Sequence, residues 1–129
     1  MTDLMHKAEI QQLVRDAYSA LDAPGAPAAA YYDAEQLAWL PPEAVVWALG
    51  VGNPMAHAVL PPRSTVLDIG CGAGIDVLLA ARRVGPEGHV IGLDLLPEMC
   101  ERTEANARAA GCTNVEVVEG EMEAIPLPD

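Results

Sequence analysis

The sequence contains no phenylalanine, and its few tryptophans and tyrosines bring the aromatic content to only 4%. Any interior must therefore close on Leu, Val, Ile, Ala and Met. Basic residues are equally scarce, with 7 Lys and Arg against 19 Asp and Glu, a formal net charge of -12. Proteins that bind phosphate backbones do so by basic neutralisation, and anionic membranes repel an acidic surface. Neither nucleic acid nor a membrane is therefore expected as a partner. The three cysteines, Cys71, Cys100 and Cys112, are odd in number and widely spaced. They argue against a disulfide framework and fit a reducing compartment, which we read as the cytoplasm. No run of 18 apolar residues is present to make a membrane span, and MTDLMHKAEI lacks the basic flank and apolar stretch of a signal peptide.

What is there is a chain of one domain's length, 129 residues, of which 51% are hydrophobic. Acidity grows toward the end: Glu87 to Asp129 holds ten acids against Arg102 and Arg108. This reads as a solvated face, with guidance of a cationic ligand as the second reading. His6 to Leu21 has the pattern of an amphipathic helix, its stripe made by Ile10, Leu13, Val14, Ala17 and Leu21. DAPGAPAA ends it. Short helical pieces are expected at Asp33 to Leu40 and Pro42 to Leu49, with Trp39 and Trp47 as apolar anchors packing this N-terminal arm down.

After LPPRS the pattern changes. Strands are predicted at Thr65 to Ile69, His89 to Asp94 and Val115 to Glu119, with helices at about Ile75 to Val84 and Pro97 to Ala110 between them. The βαβαβ alternation implies an α/β fold of parallel strands with right-handed crossovers. Residues 1–60 read as a helical arm or lid and residues 61–129 as a half-domain that binds a cofactor.

The first strand runs into a loop in which Asp68 precedes Gly70, Gly72 and Gly74. Glycines permit a sharp turn and a close backbone approach to a ligand, and a helix starting near Ile75 offers unpaired N–H groups there. Twenty residues beyond Gly74, Asp94 ends the second strand, where a carboxylate can accept from both hydroxyls of a ribose. Three readings compete. A dinucleotide site, as in an NAD-binding oxidoreductase, wants a glycine where Ile75 stands. Asp68 and Asp76 would also repel a pyrophosphate, whereas they favour a nucleoside with a cationic tail. The third reading is a bare tight turn. A P-loop is excluded, because no Lys–Ser or Lys–Thr pair follows the glycines.

DIGCGAG, the LD that ends the second strand and VVEGEMEAIPLPD resemble the cofactor half of a class I S-adenosylmethionine-dependent methyltransferase. LGVGNP, VLDIGCGAGIDVLLAARRVGPEGHVIGLDLLPEM and NVEVVEGEMEAIPLPD are similar to arsenite methyltransferases, a resemblance running from about Tyr31 to Asp129. It implies a Rossmann-like methyltransferase fold, here the βαβαβ half of a seven-stranded sheet. It also implies S-adenosylmethionine as cofactor and S-adenosylhomocysteine as product. Asp68 would lie near the methionine amino group; Gly70, Cys71, Gly72 and Gly74 would form the loop facing the methionine and ribose. Asp94 would hold the ribose, Leu95 and Met99 would pack on the adenine, and Gly120, Glu121 and Met122 would meet its polar edge. Tyr32 and His57 are weaker assignments to the acceptor side, and no catalytic base stands out.

Two departures matter. Arsenite methyltransferases are expected to hold arsenic on several thiolates, one of them where this chain has Val51, and the upstream cysteine pair is also missing. Cys71 reads as a small filler in the loop, and the three cysteines are not assembled into a metal site. The family pattern also continues beyond PLPD, with strands and helices that close the acceptor pocket. With three strands alone, Thr65 to Ile69 becomes an exposed apolar edge. The chain is therefore expected to be a fragment of a longer enzyme, or to be completed by a second polypeptide or a second copy. It would act as a methyltransferase on a small-molecule acceptor once completed. The alternatives are a non-catalytic subunit of a heteromer, a piece of an arsenite methyltransferase and a piece of an NAD-binding oxidoreductase.

Overall fold

The computed structural model describes residues 2–19, 25–50 and 52–128. Leu21 and Val51 lie outside the described residues. The chain opens with helix α1 (Thr2–Ser19), then three short helices, α2 (Ala26–Tyr31), α3 (Ala34–Trp39) and α4 (Pro42–Val46), and a 3-10 turn at Pro54–Ala56. There follow β1 (Thr65–Ile69), α5 (Ile75–Val84), β2 (His89–Asp94), α6 (Pro97–Ala109) and β3 (Val115–Glu119).

The three strands pair in parallel in the order β1-β2-β3, with Val66 beside Val90 and Val90 beside Val115. This is a partial Rossmann-like α/β fold with a helical arm. Side chains alternate across a strand, so Val66, Val90, Gly92 and Val115 share the face on which α5 and α6 pack. A Cβ on Gly92 would stand 3.1 Å from Val77 of α5 and from the Cys71 sulfur, so glycine sets the close approach of helix to sheet. Leu67 and Ile69 point to the other face and are 39% and 44% exposed. β1 lies at one edge of the three-stranded sheet, as expected for three strands alone.

The arm joins the same core. Ala28, Tyr32, Leu40, Ala48 and Met55 cluster with Ile75, Val77 and Leu78. Asp33 caps α3 in a reciprocal capping box with Gln36. Arg82 of α5 stacks 4.4 Å over Trp39 while its guanidinium pairs with Glu35, and Arg102 of α6 lies 3.7 Å over Trp47. Both tryptophans thus tie the arm to the α/β layer.

Two expectations need correction. The segment read only as a helix breaker contains α2, because Pro27 occupies its first turn, where a missing N–H costs nothing. The apolar stripe of α1 is not buried as drawn. Leu13 is 68% exposed and Ala17 is exposed, whereas the face carrying Lys7, Gln11 and Arg15 makes the contacts to the α/β layer.

Candidate functional site

The glycine loop turns only because Gly70, Gly72 and Gly74 adopt φ of 74°, 56° and 98°, the left-handed region that disfavours side chains. It is then braced from all sides. The Gly70 and Cys71 N–H groups donate to the Leu93 carbonyl at 2.7 and 3.0 Å. The Gly72 N–H donates to Asp94 Oδ2 at 2.9 Å. From α6, Thr103 Oγ1 donates to the Gly72 carbonyl at 2.7 Å and Asn106 Nδ2 to the Ala73 carbonyl at 2.8 Å.

Asp94 is buried at the tip of β2, and its Oδ1 accepts the Leu96 N–H at 2.9 Å. Each oxygen thus has one backbone donor and retains a lone pair for a further one. The carboxylate is locked in place with capacity left over.

Two cavities flank the loop and share Gly70. The first, about 710 Å³, gathers Asp94, Leu95, Gly120, Glu121 and Met122. The second, about 620 Å³, gathers Tyr32, Asn53, His57, Cys71, Gly72 and Asp76. The structure therefore brings together most of the residues singled out in the sequence. Three of them, Met99, Gly74 and Asp68, line neither cavity. Met99 is buried beneath, and Gly74 packs so closely on α6 that a Cβ there would lie 2.9 Å from Thr103. Asp68 is half-buried near the end of β1.

The electrostatics of this region are one-sided. Burial, with Asp76 and Asp94 adding to it, pushes the Asp68 carboxyl up to about 7. Burial also raises Asp76, against the opposing effect of the Tyr32 hydroxyl that donates to it at 2.5 Å. Burial first, then the Asp76 carboxylate, holds Tyr32 protonated well above its usual range. Asp68 thus feels the charge of both Asp76 and Asp94, with a neutral phenol donating to Asp76, and a nearby cation would relieve this where a phosphate would aggravate it. Among the described residues no three His, Cys, Asp or Glu side chains are grouped to hold a metal ion. Burial raises the thiols of Cys71 to about 12 and Cys100 to about 11, so both are protonated at neutral pH.

Sequence reasoning missed three participants. Thr103 and Asn106 are fully or almost fully buried polar residues on α6, in one stripe with Met99, Cys100 and Ala107. Polar side chains inside a buried helical stripe were the available signal. Asn53, within the quoted GNP, donates from Nδ2 to Gln36 at 2.9 Å, while its buried Oδ1 accepts from no described group.

The comparisons with known proteins agree with this geometry. The family described as a methyltransferase domain matches residues 61–129. An arsenite methyltransferase of Halobacterium salinarum is 46% identical over 98 residues, covering 76% of this chain and 25% of that protein. A demethylmenaquinone methyltransferase of Listeria welshimeri is 36% identical over 66 residues, 51% of this chain and 28% of that protein. The chain thus spans about a quarter of the length of these curated relatives. The crystal structure of a SAM-dependent methyltransferase from Aquifex aeolicus aligns with a TM-score of 0.55 at 33% identity, covering 75% of this chain and 47% of that one.

Proposed function

Because the chain belongs to the methyltransferase domain family, we propose that it forms the S-adenosylmethionine-binding half of an enzyme that methylates a small molecule. The observation that carries the reading is the uncompensated carboxylate group around an open glycine turn. The site fits the cofactor: an ammonium and a sulfonium offset the buried charge of Asp68 and Asp76, and the space beside Gly70, where a Cβ would meet nothing within 4 Å, admits close approach of a ligand.

S-adenosylmethionine supplies a methyl group already activated by its positive sulfur, so the protein's work is alignment and exclusion of water. In this reading Asp94, fixed by the Gly72 and Leu96 N–H groups, turns its remaining lone pairs to the ribose hydroxyls. Asp68 takes the amino group. The Tyr32–Asp76 pair closes the methionine end, and Leu95 with the segment from Gly120 to Met122 borders the base. Asn53 and His57, which line the second cavity, border the acceptor. The exposed β1 edge and the bare sheet face around Leu67 and Ile69 support completion by further chain, a second polypeptide or a second copy before turnover.

An arsenic acceptor is the second reading, favoured by the likeness to the Halobacterium salinarum protein. Against it stand the protonated, buried Cys71 and Cys100, which offer arsenic no ready thiolate.

Calorimetric titration tests the proposal. The chain is expected to bind S-adenosylmethionine and S-adenosylhomocysteine more tightly than NAD, with methyl transfer appearing only when the sheet is completed. Preference for NAD, or no binding of any of the three, would overturn it.

A further inference from the structure

Helix α1 contributes Lys7, Ile10 and Val14 to the lining of the cavity that also holds Asp94 and Glu121. Lys7, Gln11 and Arg15 follow one another at four-residue spacing, so they share one helix face, and each reaches a different part of the rim. Lys7 pairs with Glu121 after β3 at 3.3 Å. Gln11 Nε2 donates to the Leu95 carbonyl after β2 at 3.3 Å, and Arg15 Nε pairs with Glu98 of α6 at 2.5 Å. Ile10 and Val14 lie beside this row and line the cavity.

The helix is held off the α/β layer rather than collapsed on it. Ile10 remains 37% exposed, and Met122, which lines the same cavity, 64%. Apolar side chains of α1 and of the segment after β3 therefore border one cavity of about 710 Å³, beside the polar bridges that Lys7, Gln11 and Arg15 make. A flat molecule with apolar faces and a polar edge fits such a cavity; a purine base has that form.

We propose that α1 is a wall of the nucleoside site, with Ile10 and Val14 packing on the base and the Lys7–Glu121 and Arg15–Glu98 pairs keeping the helix in position. The proposal rests on the cofactor reading above and adds to it a binding element from the arm. Both ion pairs are about two-fifths exposed, and exposed pairs are individually weak and screened by salt. The wall is accordingly releasable, and high ionic strength loosens it.

The test uses the full chain and two probes, S-adenosylhomocysteine and adenosine. Ile10→Gln combined with Val14→Gln keeps helix-forming residues and removes apolar contact. It is expected to weaken both probes by about tenfold, whereas Leu13→Gln, on the exposed side of the same helix, leaves them unchanged. Arg15→Glu should weaken both by a few-fold, and adding Glu98→Arg should restore them. Far-ultraviolet circular dichroism verifies that each variant keeps its helices. Wild-type affinity in the Ile10/Val14 variant would overturn the wall while leaving the cofactor reading intact. Failure of the unaltered chain to bind S-adenosylhomocysteine would overturn that reading and the wall with it.

Discussion

On one face of the sheet Val66, Val90 and Val115 are packed under α5 and α6, and Gly92 lets the Cys71 sulfur and Val77 press close. On the other face Leu67 and Ile69 remain about two-fifths exposed. Both faces come from the same three strands, so the difference lies in what covers them. The glycine loop draws its bracing from the covered side, through Thr103 and Asn106 of α6. The contacts that brace the loop are thus complete on the covered side, while the face around Leu67 and Ile69 stays open to solvent. This contrast separates binding from turnover, and each experiment below breaks or sharpens it.

The largest effect is expected at Asp94. Its two oxygens accept buried N–H groups from Gly72 and Leu96, so Asp94→Ala leaves both donors without a partner. At roughly 1–3 kcal/mol for each unsatisfied group, the loss is about 3 kcal/mol in chemical denaturation. Binding of S-adenosylhomocysteine should disappear at the same time. A variant that lost binding without losing stability would show that Thr103 and Asn106 hold the loop without the carboxylate.

Asp68 comes next. Its carboxyl titrates near 7 in the folded chain, raised from 3.8 by burial first and then by Asp76 and Asp94. A raised acid binds more protons folded than unfolded between those two values. Its contribution to stability is therefore fully present below about pH 4 and is lost as pH rises through 7. Asp68→Asn should flatten that part of the pH–stability profile and make the free chain more stable at pH 8. Binding of a cation runs the other way: affinity for S-adenosylmethionine should rise with pH through 7 in the unaltered chain, with proton release. It should be weaker in Asp68→Asn, with the rise through 7 reduced. Calorimetry in buffers of different ionisation enthalpy reads the released proton, and its absence would remove Asp68 from the cofactor's charged end.

How much of this was legible beforehand depends on the range of the interactions. The β strands, α5 and the glycine loop follow from local rules, because an apolar strand meeting three closely spaced glycines has few conformations open to it. Asp94 was legible for the same reason, as an acid that ends an apolar strand. The bracing by Thr103 and Asn106 was not, since it joins residues 31 and 33 positions apart in sequence and appears only once α6 is laid on the loop. The α1 stripe failed differently. Periodicity finds an apolar face but says nothing about which face a neighbouring layer will take, and here polar rim contacts turned Leu13 outward. Glu121, assigned to a ligand from resemblance, is met by Lys7 from a helix more than a hundred residues earlier.

The smallest effect is expected at Leu67, and it is the most informative about the bare face. With 39% of its surface in water, its replacement by glutamine forfeits little burial. The change in an isolated chain should stay within about 0.5 kcal/mol, as at other exposed positions away from a packed contact. If the chain associates through that face, the same substitution removes apolar contact from the interface, and the denaturation midpoint becomes sensitive to protein concentration only in the unaltered chain. Measuring both proteins at two concentrations tens-fold apart therefore distinguishes the cases. A small, concentration-independent difference means that the face is open in solution and available to a different polypeptide. A difference of several kcal/mol that shrinks on dilution means that a second copy already covers it, and that the half-sheet is completed by its own kind.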